Sequence, residues 1–104
     1  MLVSPAPRIR PYELMVVLDP ELTPEQQDQV IERLKSVITS NGGQIQEVIP
    51  WGRRRFCYPI RKKMEGHYVL MRAEMPAQAT APLERTLRIT EEILRHLLVR
   101  LDED

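Results

Sequence analysis

The feature of this sequence that most constrains its fold is the order in which two apolar periodicities alternate along the chain. A spacing of two residues marks a strand with one buried face, and spacings of three and four mark an amphipathic helix. Along the 104 residues the order is strand, helix, strand, strand, helix, strand. A chain of this length supports one hydrophobic core and not two, so the six elements must share it.

The first strand and the first helix are the most clearly marked elements. Tyr12, Leu14, Val16 and Leu18 recur at every second position, which predicts a strand, and Asp19-Pro20 ends the run. Thr23-Pro24-Glu25-Gln26 predicts a helix start, because the threonine can cap a free N–H, the proline suits the first helical position and the glutamine completes a capping box. Asn41-Gly42-Gly43 predicts the helix end. One apolar stripe lies between: Val30, Ile31, Leu34, Val37 and Ile38.

The middle of the chain predicts two further strands. An extended stretch runs over residues 44–60, and Pro50 and Gly52 interrupt its alternation, which indicates a bulge or a break. Lys63-Met64-Glu65-Gly66 is predicted to form the turn after it. His67–Met75 then alternates as a strand.

The last two elements complete a β-α-β-β-α-β order. Thr80-Ala81-Pro82 opens a second, shorter helix, and residues 93–101 form the last strand. The predicted fold is therefore α+β, the ferredoxin-like split βαβ arrangement, with two helices on one face of a four-stranded sheet. Right-handed crossovers place the first and third strands in the centre. Residues 1–11, with three prolines, are predicted to be an irregular N-terminal arm, and residues 12–104 a single domain.

The face of the sheet away from the helices is expected to carry apolar side chains. The alternation assigns the following residues to it: Met15, Val17, Tyr68, Leu70, Leu97 and Val99. This is more apolar surface than a monomer usually leaves in water. A partner protein is the predicted cover, and burial by the N-terminal arm or by the loop around Trp51 is the alternative.

Charge is balanced overall but segregated along the chain. Fifteen Lys+Arg and fifteen Asp+Glu give a formal net charge of +0, which taken alone argues weakly against nucleic-acid binding. However, residues 13–32 contain six acids and no base, whereas residues 51–63 contain six bases and no acid. Binding depends on the local potential, so the second segment is a candidate site.

The composition also indicates the compartment. No apolar run approaches the roughly 18–20 residues that span a bilayer, and the first residues lack the pattern of a secretory signal. The single cysteine, Cys57, excludes an internal disulfide framework and fits a reducing environment. The predicted location is the cytoplasm.

The basic segment, residues 51–63, combines arginines with aromatic side chains. Arginine suits phosphate because its planar fork donates two parallel hydrogen bonds, and aromatic rings can stack on unpaired bases. In a strand, Arg53 and Arg55 face one way and Arg54 the other. The alternative is an edge strand that is charged and proline-bearing to prevent aggregation, and composition alone leaves the two readings about equal.

Several segments, in this order and spacing, resemble the bacterial small-subunit ribosomal protein family S-six from residue 12 to residue 103. They are Tyr12-Glu13 with Asp19-Pro20, Trp51-Gly52-Arg53-Arg54 with Tyr58-Pro59-Ile60, Glu65-Gly66-His67-Tyr68-Val69-Leu70-Met71, Leu87-Arg88-Ile89, and Leu94-Arg95-His96-Leu97-Leu98-Val99-Arg100. The chain departs from the family at Phe56 and Cys57, where a leucine and a small residue are common.

The resemblance implies a structural role in the small ribosomal subunit, without catalysis or a cofactor. It implies binding to the central domain of small-subunit ribosomal RNA together with ribosomal protein S-eighteen during assembly. The predicted RNA-binding residues are Arg10, Arg53, Arg54, Arg55, Arg61, Lys62, Arg88 and Arg95. The predicted partner-binding residues are Trp51, Phe56, Tyr58 and Ile60, with strand addition at the sheet edge as one mode of contact.

Other functions of the same fold fit the residues less well. An RNA-recognition or protein-interaction module outside the ribosome is the alternative, but the RNA-recognition type needs more aromatic residues than Tyr68 on the central strands. An enzyme would need a catalytic or cofactor-binding constellation. His67 and His96 lack the companions of a metal site, and Cys57 has no histidine near it in sequence. The chain is predicted to be neither an enzyme nor a metal-binding protein.

Overall fold

The computed structural model describes residues 8–102 and contains the six predicted elements in the predicted order. They are β1 (Ile9–Leu18), α1 (Pro24–Ser40), β2 (Gln44–Ile60), β3 (Lys63–Pro76), α2 (Thr80–Ile89) and β4 (Ile93–Arg100), with a 3-10 turn at Ala77–Ala79 before α2. The four strands form one antiparallel sheet in the order β2-β3-β1-β4. The ferredoxin-like prediction is confirmed, including the central position of the first and third strands.

The start of α1 follows the predicted capping chemistry. The Thr23 hydroxyl accepts a hydrogen bond from the Gln26 backbone N–H at 3.2 Å, and the Gln26 side chain accepts one from the Thr23 N–H at 2.9 Å. This capping box satisfies two N–H groups that the first turn cannot pair internally. Four members of the apolar stripe of the helix are buried: Val30, Ile31, Leu34 and Ile38.

The hydrophobic core lies between the helices and one face of the sheet. Its members on the two central strands are Tyr12, Leu14, Val16, Leu18, Val69, Met71, Ala73 and Met75. Leu83 and Leu87 from α2 complete it from the helix side. Because every second residue of β1 and β3 enters this layer, the intervening residues must lie on the open face.

The strand and turn boundaries in the first half differ from the prediction in two places. β1 begins at Ile9, so residues 9–11 of the predicted arm belong to the sheet, and residues 1–7 lie outside the described residues. The turn predicted at residues 63–66 is wrong, because β3 already begins at Lys63 and the reversal occurs at Arg61 and Lys62. Both turn residues have positive φ, 49° and 66°, as a tight two-residue hairpin requires.

Gly66, expected in the turn, serves instead a close approach inside β3. A Cβ atom at this position would lie 2.6 Å from Val17 Cγ1 and 3.1 Å from Phe56 Cζ. Any larger residue would force these two side chains apart. The glycine therefore marks the place where the ring of Phe56 packs down onto the sheet.

The interruption predicted in β2 is a bulge. The pairing with β3 shifts register between Pro50 and Gly52, so Trp51 has no partner residue, and Gly52 has a φ of +85°. β1 ends opposite His67, so the parts of β2 and β3 that lie beyond this point pair only with each other and form a two-stranded extension. We call residues 53–66 the distal hairpin. It contributes to the elongated shape of the molecule, 58 × 29 × 22 Å.

The open face is less exposed than expected near the centre of the sheet. Val17 is only 4% exposed and Leu70 is also buried, so these two lie on the open face as predicted but contribute little exposed apolar surface. Their neighbours across the strands cover them: Tyr68 and Phe56 near Val17, and Met15 and Ile49 beside Leu70. Exposed apolar surface is found instead on β4, where Leu97 is 63% exposed and Val99 is also exposed.

Candidate RNA and partner interface

The basic segment occupies one strand of the distal hairpin, so its side chains alternate between the two faces. Arg53 pairs in register with His67, Arg54 with Gly66 and Arg55 with Glu65. The register therefore agrees with the predicted alternation, in which Arg54 lies on one face of the strand and Arg53 and Arg55 lie on the other.

Arg53 is engaged within the protein. Its guanidinium forms an ion pair with Glu65 and donates a hydrogen bond to the Pro20 carbonyl at 2.8 Å. Pro20 lies in the loop between β1 and α1, so this side chain attaches the base of the hairpin to the body of the domain. We assign Arg53 a positioning role first, since both terminal nitrogens of its guanidinium donate to groups within the protein.

Arg61 attaches the end of the distal hairpin to a second loop, and Lys63 attaches it to the loop that Arg53 also contacts. The Arg61 guanidinium donates to the Glu91 carbonyl at 3.0 Å, between α2 and β4. Lys63 forms ion pairs with Glu21 and, at 3.8 Å, with Asp19. The hydrogen bond that Lys63 donates to the Glu21 carboxylate is the main cause that raises the pKa of Lys63, which stays charged at neutral pH. These contacts orient an otherwise two-stranded extension.

Four cations near these attachments are exposed and make no hydrogen bond or ion pair with any residue that the structure describes. They are Arg54, Arg55, Lys62 and Arg95. Arg88 is nearly as free, since its one ionic neighbour in the described part of the chain is Glu84 at 3.9 Å. Arg88 and Arg61 line the same open depression, which brings a residue of α2 next to the hairpin. The predicted extension of the basic patch by Arg88 and Arg95 thus agrees with their positions.

Arg10 lies at the other end of the sheet. The start of β1 pairs with Pro76, whereas the hairpin begins beyond His67. The Arg10 side chain is 12% exposed and donates to Asp102 Oδ2 at 2.7 Å. This hydrogen bond is the main cause that lowers the pKa of Asp102. The structure therefore does not bring Arg10 together with the other predicted RNA-binding residues.

The aromatic side chains of the segment converge on the open face. Phe56, Tyr58 and Ile60 line a groove together with Tyr68 and Arg95. The rings of Phe56 and Tyr68 are 6.3 Å apart and inclined at 57°, a tilted contact between aromatic rings. Tyr58 is 72% exposed. Trp51, at the bulge, is not among the residues that line this groove.

Tyr68 is the member of this site that the sequence did not assign. Alternation placed it on the open face, and the structure pairs it in register with Gly52 while its ring contacts that of Phe56. The sequence signal for this contact is the position of Tyr68 two residues after Gly66, on the same face of the strand. Such a glycine leaves room for a ring from the neighbouring strand.

The described residues offer little chemistry beyond binding. No group of three or more His, Cys, Asp or Glu side chains among them is placed to hold a metal ion. His96 contacts Glu84 Oε2 at 2.9 Å, in agreement with a histidine satisfied locally. No helix within residues 8–102 is long and apolar enough to cross a membrane.

Comparison with known proteins decides the family. The family model described as Ribosomal protein S6 matches residues 11–100. The chain belongs to this family. It is 41% identical to the small ribosomal subunit protein bS6 of Carboxydothermus hydrogenoformans over 91% of this chain and 99% of that protein. It is 44% identical to the corresponding protein of Caldanaerobacter subterraneus, over 91% of this chain and all of that protein.

Solved structures agree with the assignment. The crystal structure of the family member from Thermotoga maritima is 33% identical, with a TM-score of 0.85 over 90% of this chain and 89% of that one. An uncharacterised protein of the same organism, 16% identical with a TM-score of 0.58, shares the fold alone. The predicted family is confirmed, and with it a structural protein of the small ribosomal subunit, located with the ribosome in the cytoplasm and not an enzyme.

Proposed function

We propose that this chain binds the central domain of small-subunit ribosomal RNA together with ribosomal protein S-eighteen. The observation that carries the RNA part is the set of unpaired cations on and beside the distal hairpin. Charges already neutralised inside a protein contribute little to phosphate binding, whereas unpaired ones release counterions from RNA when they bind. Family membership supports the ribosome over an RNA-recognition module elsewhere.

Within the predicted set, the phosphate contacts fall first to Arg54, Lys62 and Arg88. Arg54 and Lys62 are exposed on the hairpin, and Arg88 extends from the last turn of α2 beside it. Arg53 and Arg61 hold the hairpin in place and keep part of their guanidinium groups accessible. Phosphate contacts position a protein without reading sequence, so RNA shape and the partner protein supply specificity.

The partner contact falls to the aromatic groove and to Trp51. β2 is an edge strand, and its exposed Trp51 and Tyr58 offer anchors of the type that dominates protein interfaces. RNA on Lys62 at the tip and on Arg88 of α2, and a protein in the aromatic groove, would occupy different parts of the hairpin region. Simultaneous binding is the expected consequence, with the acidic helix α1 directed away from RNA.

Titration of the protein against a central-domain ribosomal RNA fragment, with and without S-eighteen and over a salt series, tests this proposal. The double variant Arg54→Ala/Lys62→Ala should weaken RNA binding and reduce the salt slope by roughly one unit per lost contact. The control Arg33→Ala/Arg85→Ala removes two exposed arginines from the helices. Equal losses in the two double variants would contradict the assignment to the hairpin. An absence of RNA binding with and without S-eighteen would contradict the function.

A further inference from the structure

Arg88, in the last turn of α2, lies between two depressions of the surface. On the hairpin side it lines the open depression that Arg61 and Lys63 also line. On the other side it lines a second depression, whose lining residues all belong to α2 and include Glu84. The guanidinium can therefore extend toward the hairpin or lie back along the helix. Its contact with Glu84 belongs to the second arrangement.

The Glu84 carboxylate has two basic neighbours, and both approach the same oxygen atom. His96 Nε2, on β4, lies 2.9 Å from Glu84 Oε2. Arg88 Nη2, one helical turn after Glu84, lies 3.9 Å from that oxygen. The side chain of His96 is 22% exposed and that of Arg88 is 74% exposed. The histidine is therefore held in place by its surroundings, whereas the arginine is free to leave the carboxylate.

The charge on His96 determines how strongly Glu84 attracts Arg88. Imidazole is the side-chain group whose charge ordinarily changes between about pH 5 and 8. A neutral ring adds no charge, so the ionised carboxylate keeps its attraction for the guanidinium. A protonated ring forms an ion pair with the carboxylate and neutralises it. As a group, the three side chains are neutral in the first state and carry one positive charge in the second.

Glu84 is the charged residue through which the protonation of His96 acts. The partner of His96 across the sheet is Val16 of β1, which is apolar and fully buried. In the part of the chain that the structure describes, the other charged residues of α2, β4 and the loop between them make no hydrogen bond or ion pair with the His96 ring: Arg85, Arg88, Glu91, Glu92, Arg95 and Arg100. Arg88 is reached only through the shared oxygen of Glu84.

We infer that His96 and Glu84 are positioning residues that make the contact of Arg88 with RNA phosphate depend on pH. Protonated His96 neutralises the Glu84 carboxylate and releases Arg88 toward the phosphate, whereas neutral His96 leaves Arg88 held in part by Glu84. By linkage, a phosphate bound to Arg88 favours the protonated ring, so RNA binding takes up protons from the solvent. This inference rests on the proposed contact of Arg88 with RNA and names the residues that regulate it.

RNA titration at several pH values and constant ionic strength tests the role of His96. With S-eighteen present, the affinity of the wild type for the central-domain fragment should fall several-fold from about pH 6 to about pH 8. His96→Gln can still donate a hydrogen bond to Glu84 but cannot be protonated, so its affinity should change much less over this range. The chain has two histidines, and His67→Gln is the matched control that should keep the wild-type dependence. Groups of the RNA and of S-eighteen that titrate contribute equally to all three proteins.

A second variant tests the carboxylate. Glu84→Gln removes the charge that competes with phosphate for Arg88, so at about pH 8 it should bind RNA several-fold more tightly than the wild type. The gain should disappear when Arg88→Gln is added, which a double-mutant cycle measures. Glu32→Gln is the control, since it removes a carboxylate with a neighbouring lysine from α1. A purely structural role of Glu84 would lower the midpoint of urea denaturation and give no gain in affinity.

A third measurement needs no substitution at His96 or Glu84. In the NMR spectrum of the wild type, the pH at which the His96 ring signal is half-shifted should rise when the RNA fragment and S-eighteen are bound. The rise should be smaller in Arg88→Gln, because the phosphate contact next to the ring is lost.

The outcomes separate the inference from the function on which it rests. If Arg88→Gln binds RNA as tightly as the wild type at every pH, the proposed contact of Arg88 fails and the inference fails with it. If Arg88→Gln weakens RNA binding but His96→Gln keeps the wild-type pH dependence, the contact stands and the inference is overturned. Equal gains for Glu84→Gln and Glu32→Gln would also overturn it, because they would show a general effect of net charge.

Discussion

The helix-covered core and the distal hairpin are two regions of one sheet that are held together in different ways. In the core, β1 and β3 present alternate apolar residues to two helices, and side chains such as Leu34 and Leu83 have no measurable exposure. In the hairpin, the strands lack a helix and are fixed by polar contacts from Arg53, Arg61 and Lys63 to loops. Exposed polar contacts of this kind contribute little to stability, whereas buried apolar area contributes most of it.

This difference teaches that stability and recognition are separable in this protein. The hairpin can carry unpaired cations and exposed rings because the core does not depend on them. Gly66 is the point at which the regions meet, since Val17 of the sheet and Phe56 of the hairpin both approach it. Substitutions in the core, at this junction and at the tip should therefore have effects of different size and kind.

The largest effect is expected for Leu34→Ala in the core. Leu34 is fully buried, so the substitution removes apolar contacts and leaves a cavity, which costs about 2–5 kcal/mol of unfolding free energy. Urea denaturation measures the loss, and RNA affinity at a temperature where the variant is folded should be unchanged. The exposed neighbour Arg33→Ala is the control, with a change within about 0.5 kcal/mol. Similar values for the two variants would mean that the core is not the main source of stability.

An intermediate effect is expected at the junction, for Gly66→Ala. The added methyl group would contact Val17 and the Phe56 ring at less than ordinary separations, at a cost of about 1–3 kcal/mol. Displacement of the ring should also weaken S-eighteen binding. Gly52→Ala is the matched control, since its φ of +85° strains the backbone while nothing lies within 4 Å of the new methyl group. Unchanged partner binding in Gly66→Ala would contradict the inference that packing at this junction affects the partner surface of the hairpin.

The smallest effect, and one of opposite sign, is expected at the tip for Lys62→Gly. Lys62 has a φ of +66°, a conformation that glycine adopts without steric cost, so the variant should gain up to about 1 kcal/mol of stability. It should nevertheless bind RNA more weakly, because a free cation is lost. Arg54→Gly removes a cation from a strand instead, so it should lose both stability and affinity. Thermal unfolding and RNA titration of Lys62→Gly and Arg54→Gly would show whether the tip of the hairpin is less stable than it could be because its residues bind RNA.

The sequence by itself determined the element order, the central strands, the capped start of α1, the bulge near Trp51 and the family. Each of these depends on periodicity, on turn and cap chemistry within a few residues, or on motifs in a fixed order, and all are visible in a linear chain. The basic segment was recognised for the same reason, since its charges are contiguous.

Only the tertiary structure decided which of those charges are free. Arg53 and Arg61 meet carbonyl groups 33 and 30 residues away, and Arg10 meets Asp102 across 92 residues. The turn at Arg61 and Lys62, the role of Gly66 and the joining of Tyr68 to Phe56 depend likewise on the register between strands. Register is set by the packing of the whole sheet and by its bulges, so no local pattern contains it.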